Sequence, residues 1–340
     1  MSGVSITMRT GAGPRSLCLC ITLSACAFTA SYAVDRPCYI YETSKYGFGS
    51  NFFGLLMAVA TFGANNSTVY IEESTWAYKC GGKPSWNEFF AGKQPQPRPR
   101  PNEAYEAHQA LNACTSLCYD SGYQRLKDLT VAHVRPLLGK ALRDMWTLTP
   151  RVQELADVQA AFLDTLQHPI LAVHVRGGDK RDEDLMSKLN PEWYNSGEWL
   201  SSLTEHLELF QLAAPATCLI FGDGLQANAA VAATASQNLS CNVLQLGGRD
   251  GGHQQDLFSA EASASQSTDG QDLGCVRTQD FILNLVTMAR ADLFVGSYNS
   301  NVGRLVHLLR SYVYPKPAEA TKDLMYREWH HDHLHGYVYT

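Results

Sequence analysis

The sequence predicts an α/β protein of two nucleotide-fold-like halves with a cleft between them, the second half built on a doubly wound parallel sheet. Three observations predict it. Short apolar runs of strand character alternate with helical stretches through the second half. A strand–helix–strand pattern opens the chain after its first 34 residues. Three strand-like runs end in glycines or small polar residues just where a helix begins, the place where such folds bind ligands. At 340 residues, 45% hydrophobic and 18% charged, the chain is long enough for both halves and globular in composition.

Residues 1–34 read apart from the rest. Arg9 and Arg15 precede "SLCLCITLSACAFTASYA" (Ser16 to Ala33), an uncharged apolar run with Ser31 and Ala33 at small-residue cleavage spacing. This is a secretory signal or, at this length, an uncleaved membrane anchor with a short cytoplasmic tail. Residues 35–166 are expected to form the N-terminal α/β domain. There "CYIYET" (Cys38 to Thr43) reads as a strand, "GFGSNFFGLLMAVATFGA" (Gly47 to Ala64) as a glycine turn opening a helix, and "TVYIEE" (Thr68 to Glu73) as the next strand. "KQPQPRPRP" (Lys93 to Pro101) reads as an extended surface loop, because its prolines remove donors and fix φ. "VAHVRPLLGKALRDMW" has helical spacing, and a second helix restarts with Thr149 as cap and Pro150 in its first turn.

Residues 167–315 form the expected nucleotide-binding half. Strands are predicted at Pro169 to Arg176, Thr217 to Asp223, Asn242 to Leu246 and Asp292 to Ser297. Helices fall near Glu198 to Leu212, Gln226 to Ala235, Thr278 to Ala289 and Ser300 to Val313, with a Gly/Ser/Ala/Asp-rich insertion from Gly247 to Gly274. Residues 316–340 are left as a C-terminal tail.

Charge excludes one large class of function. With 27 Lys+Arg against 33 Asp+Glu the chain lacks the basic surface that nucleic-acid backbones require, so no nucleic-acid partner is expected. Three of the ten cysteines lie in the leader, leaving Cys38, Cys80, Cys114, Cys118, Cys218, Cys241 and Cys275 for an oxidising compartment. Seven is odd, so at least one thiol is free or pairs between chains. Cys114 and Cys118 have the spacing of half a zinc site, but no second half follows, which favours disulfides. Glycan acceptor sequons at Asn65-Asn66-Ser67-Thr68 and Asn238-Leu239-Ser240 agree with the secretory pathway.

The residues that suggest chemistry sit at strand ends. "LAVHVRGGDK" runs from a buried strand into Arg176, whose guanidinium can grip a diphosphate bidentately, and into Gly177 and Gly178, which let a ligand approach the backbone. "VGSYNSNVGRL" again ends a strand in small polar residues and opens a helix. Its amides with Ser297, Ser300 and Asn301 would face an anion, while simple capping by Asn299 or Ser300 accounts for part of the run. "GFGSN" (Gly47, Gly49, Asn51) is a third glycine turn before a helix.

In this order the three elements resemble the fucosyltransferases that use GDP-fucose, most closely the α1,6 branch, related to nodulation fucosyltransferase and to the wider α1,2/α1,6/protein O-fucosyltransferase group. The carriers are "GFGSNFFGLLMAVATFGANNSTVYIEESTWAYKCGG", then "HVRGGDK", then "FILNLVTMARADLFVGSYNSNVGRL". The resemblance implies a GT-B-like fold and an inverting, metal-independent transfer of fucose to a glycan or glycoprotein hydroxyl in the Golgi lumen or after secretion, with no cofactor. It also implies roles. His174 contacts guanine, Arg176 and Lys180 hold the diphosphate and stabilise departing GDP, and Ser300 with Asn301 holds the phosphates. Asp184 or neighbouring Glu183 takes the acceptor's proton, and Asp223 lies near the acceptor. Three departures stand out: Gly177 replaces a second arginine, Asn284 an aspartate that reads guanine, and Asn301 a glutamine. Since an asparagine offers guanine a different donor and acceptor set from a carboxylate, another GDP-sugar is the alternative donor. A secreted relative that binds without catalysing is a third reading. The terminal "HHDHLHGYVYT", with His330, His331, His333 and His335, is expected to be surface or helix-end packing and not a metal site.

Overall fold

A strand, a predominantly apolar helix and a second strand open the fold, as the alternation of residues 38–73 predicts. The structure is a computed structural model that describes residues 37–43, 48–63, 67–73, 79–80, 83–84, 86–93, 95–98, 114–117, 131–175, 198–222, 225–246, 273–296 and 300–324. Strand β1 (Cys38–Glu42) pairs in parallel with β2 (Thr68–Glu72), from Cys38 opposite Thr68 to Glu42 opposite Glu72. Helix α1 (Phe48–Phe62) joins them. From Phe52 to Ala60 its sequence is apolar all round, so it needs cover on every side, and nearly all of the helix is buried.

Short elements complete this half: the antiparallel hairpin β3 (Lys79–Cys80) and β4 (Lys83–Pro84), α2 (Trp86–Phe89), β5 (Gln96–Pro97) and β6 (Thr115–Leu117). The first sheet has the order β5-β2-β1-β6, all parallel. Within the proline run, Gln96 and Pro97 form β5, an edge strand where a missing N–H is tolerated. Helices α3 (Val131–Met145) and α4 (Pro150–Asp164) lead into the second half. Thr149 occupies the N-cap position of α4 but makes no side-chain cap; its hydroxyl donates instead to the Glu88 carbonyl at 3.0 Å.

The second half is β7 (Ile170–Val175), α5 (Glu198–Leu209), β8 (Thr217–Gly222), α6 (Leu225–Asn238), β9 (Asn242–Gln245), α7 (Leu273–Arg290), β10 (Leu293–Gly296), α8 (Asn301–Tyr312) and β11 (Thr321–Asp323). The sheet order β9-β8-β7-β10-β11, all parallel, is the doubly wound order in which the chain reverses direction between its first and fourth strands. Thr321 to Asp323, which the sequence leaves in the tail, form the edge strand of this sheet. Alternation along the strands sorts the packing. Leu171, Val173 and Val175 meet Trp199 and Leu203 of α5 and Val231 and Ala235 of α6, while Ile170, Ala172 and Phe294 face the cluster holding α7 and α8.

That second cluster is continuous with the core around α1. Phe48 meets Phe281 of α7 edge-on at 5.3 Å, and Phe52 touches Trp86, Phe90 and Trp146, so one core spans both sheets. Three disulfides join distant segments: Cys38–Cys114, Cys80–Cys275 and Cys218–Cys241. Cys114 therefore belongs to a strand-to-strand staple with Cys38 and not to half a zinc site; Cys118 lies outside the described residues. No described helix is long and apolar enough to cross a membrane.

Candidate functional site

In a doubly wound sheet the strands on either side of the reversal splay the following loops to opposite faces, which opens a crevice at their carboxyl ends. Here those strands are β7 and β10. All six residues of β7 are buried, and the chain leaves it at Val175, immediately before Arg176. β10 is equally buried and ends at Gly296, ahead of Ser300 and α8. The two segments singled out in the sequence thus lead from the two strands that border the reversal.

His174, only 7% exposed, is the next-to-last residue of β7 and stands in register with Phe221 of β8. It alternates with Ile170 and Ala172, so its side chain leaves the sheet on the face of α7 and α8. Ser300 is the N-cap of α8: its backbone is extended and its hydroxyl accepts from the Val302 N–H at 3.3 Å. The capping role expected of this serine is present, and it satisfies one of the helix's orphan donors while leaving the hydroxyl proton available. Ser300 is buried as well, at 4% exposure.

Asn301, the first residue of α8, reaches across to the other half. Its Nδ2 donates to Ser50 Oγ in the first turn of α1 at 2.7 Å, and Arg304 Nη1 donates to its Oδ1 at 3.4 Å. The approach of the two helices is close because Gly49 has no side chain. A Cβ there would lie 3.0 Å from Asn301 Cβ, 3.2 Å from its carbonyl carbon and 3.3 Å from Val302 N, tighter than side chains normally pack. Asn51 is buried in the same turn of α1. The amino-terminal ends of α1 and α8 therefore converge, and neither carries an acidic residue in its first turn. Each end bears about half a positive charge, so the convergence favours an anion.

Asn284 is half-buried on α7, one turn beyond Phe281 and on the same face, and Phe281 is the residue that touches Phe48 at the start of α1. The structure thus gathers Gly49, Asn51, Ser300 and Asn301 at one junction, with His174 and Asn284 on the flanking elements. Gly47, Arg176, Gly177, Lys180, Glu183, Asp184 and Asp223 lie outside the described residues, as do the leader and the terminal histidines. Ser50 and Arg304 are additions that the sequence alone does not single out. Their only signal is position: each lies in the first turn of a helix that one of the quoted motifs opens. Among the described residues no group of three His, Cys, Asp or Glu side chains comes together in a way that could hold a metal ion.

No protein-family model matches the chain. No curated protein matches it either. Solved structures do. NodZ α1,6-fucosyltransferase soaked with GDP-fucose is 14% identical over 81% of this chain and 92% of its own, with a TM-score of 0.42. The fucosyltransferase NodZ from Bradyrhizobium is 14% identical over 81% and 93%, with a TM-score of 0.43. POFUT1 in complex with GDP is 11% identical over 85% and 98%, also at 0.43.

Proposed function

We propose that the chain is an inverting, metal-independent glycosyltransferase that moves fucose from GDP-fucose to a hydroxyl of a glycan or glycoprotein in the secretory pathway, with residues 167–315 as its donor-binding half. The observation that carries this reading is the position of the reversal in the second sheet: "HVRGGDK" begins at the end of β7 and "NSNVGRL" follows β10, the two strands that border it. The motifs themselves, through their resemblance to GDP-fucose-dependent enzymes, supply the substrate class.

In this reading the GDP diphosphate lies between the Arg176 guanidinium and the amino-terminal end of α8, with Lys180 as a further cation and His174 and Asn284 toward guanine. Gly47, Gly49 and Asn51 close the crevice from the other half. The bond from fucose C1 to the phosphate oxygen breaks as the acceptor oxygen attacks from the opposite face. The acceptor's proton passes to Asp184 or Glu183, and Asp223 helps to seat the acceptor. Charge grows on the departing diphosphate, so fixed donors that await it lower the barrier more than donors that must first reorganise. Three disulfides and the apolar leader support passage through an oxidising compartment, as a Golgi-anchored or secreted protein.

Turnover of GDP-fucose by wild type and Arg176→Ala tests the assignment. Loss of the guanidinium costs about two orders of magnitude in rate or more, the scale of removing one preorganised oxyanion donor. Unchanged turnover in Arg176→Ala ends it. A second reading, another GDP-sugar as donor, is favoured by Asn284 and Gly177 and is separated by ranking GDP-sugars as substrates. A purely binding protein would release no fucose from GDP-fucose with or without acceptor.

A further inference from the structure

We propose that Ser50 is a positioning residue for the nucleotide-sugar donor: through the amide of Asn301 it fixes the amino-terminal end of α8 against α1 across the two halves of the protein. The inference rests on the donor site proposed above and adds to it a residue that neither the motifs nor the resemblance singles out.

The chemistry of the three side chains sets the direction of the chain of hydrogen bonds. A guanidinium has only donors, so the amide atom facing Arg304 Nη1 at 3.4 Å is the oxygen of Asn301. Its nitrogen is then turned to Ser50, 2.7 Å away, and the hydroxyl oxygen of Ser50 must accept. The orientation of the amide thus follows from its partners, an assignment that asparagines often leave open. Ser50 and Asn301 are 251 residues apart, so the bond ties α1 of the first half to α8 of the second. Gly49 permits the approach, since a Cβ there would already crowd Asn301 and Val302.

Asn301 opens the helix whose first-turn amides, apart from that of Val302 held by the Ser300 cap, would meet the diphosphate. A serine that anchors Asn301 therefore acts on donor affinity at one remove, by holding those amides where a preorganised site needs them. Its loss should raise the donor KM and leave kcat largely unchanged, the pattern of an interaction made equally in ground and transition states. Removing the neutral hydrogen bond should weaken GDP binding about fivefold.

The test is GDP binding by titration calorimetry, with donor KM and kcat, on wild type, Ser50→Ala, Asn301→Ala and the double variant, each checked for an unchanged melting transition. The expected result is about fivefold weaker binding in Ser50→Ala and a double variant no weaker than Asn301→Ala, because the two side chains act as one unit. Ser50→Thr keeps the hydroxyl and should bind within about twofold of wild type; this variant decides the matter should Ser50→Ala fold poorly. Wild-type affinity in Ser50→Ala, strictly additive losses, or a Ser50→Thr defect as large as that of Ser50→Ala would overturn the proposal and leave the donor site standing. A wild-type protein that takes up no GDP overturns both.

Discussion

Replacing Arg310 by methionine should be among the most damaging single changes to stability outside the site. Arg310 is 1% exposed, near the end of α8, and its guanidinium donates to a threonine hydroxyl and to several backbone carbonyls. Nε donates to Thr321 Oγ1 at 2.8 Å. Nη1 donates to the carbonyls of Ala291 at 2.6 Å and Ala289 at 3.2 Å, and Nη2 to those of Asp292 and Ala320, both at 3.0 Å. All five N–H groups of the fork thus have oxygen acceptors. Ala289 belongs to the last turn of α7, where the helix end is negative, so the charge is stabilised by oriented dipoles. Methionine matches the length of the stem but removes every donor and strands several buried carbonyls. Each buried acceptor left unsatisfied costs about 1–3 kcal/mol, so the loss of this cluster should cost about 3–5 kcal/mol, against a total stability of about 5–15 kcal/mol. For a chain of this size that lowers Tm by about 5–8 °C. Lysine keeps the charge but not the planar fork, and should fall between the two. Urea denaturation followed by tryptophan fluorescence measures the difference. A methionine variant within about 1 kcal/mol of wild type would show that the carbonyls find other partners and that the network contributes little.

Three further outcomes follow from particular contacts. Gly49→Val should overpack the α1–α8 junction by about 1–3 kcal/mol and weaken GDP binding at least about tenfold, and calorimetry showing wild-type affinity would contradict the close approach measured at Gly49. Burial pushes the Asp292 carboxyl up, but the Ile170 N–H, His168 and Lys316 together outweigh burial and leave its pKa below the ordinary carboxylate value. A depressed folded pKa stabilises the protein above the unfolded pKa and loses that contribution as pH falls through the folded one. Asp292→Asn should therefore flatten the acid limb of a plot of Tm against pH; an unchanged limb sinks the assignment. The Cys80–Cys275 disulfide spans 195 residues of sequence, so the double serine variant should lose about 3–5 kcal/mol, read as a lower urea midpoint, and an unmoved midpoint would count against the staple.

Elements with their own periodicity were legible in the sequence, and elements that exist only through their neighbours were not. β7, β8 and β10 are buried runs with glycines or polar residues at their ends, and α1 is apolar from Phe52 to Ala60. Each advertises itself locally. β5, β6 and β11 are two or three residues long at the edges of sheets, too short for alternation to show, and backbone pairing with an adjacent strand is what defines them. The same holds for the cysteines. Oddness and compartment could be counted, but Cys80 meets Cys275 only because the first half's hairpin packs beside the start of α7. At the site, Ser300 could be read from its place before a helix, whereas the Ser50–Asn301 bond joins segments 251 residues apart and has no local signature.

The reach of those long-range contacts also decides what kind of crevice this is. Were the two halves joined only by a linker, a ligand between them would have to order one against the other and would bind more weakly for it. Here α1 is buried in a core that includes α7 and α8, Phe48 rests on Phe281, Cys80 is bonded to Cys275, and Asn301 is hydrogen-bonded to Ser50. Two of these contacts, Phe48–Phe281 and Asn301–Ser50, involve the converging helix ends themselves. The positive ends of α1 and α8 are accordingly held together before any ligand arrives, at an electrostatic cost that the apolar core beneath them can offset. An anion that binds there meets donors already in place, so less of its binding free energy is spent on ordering the site.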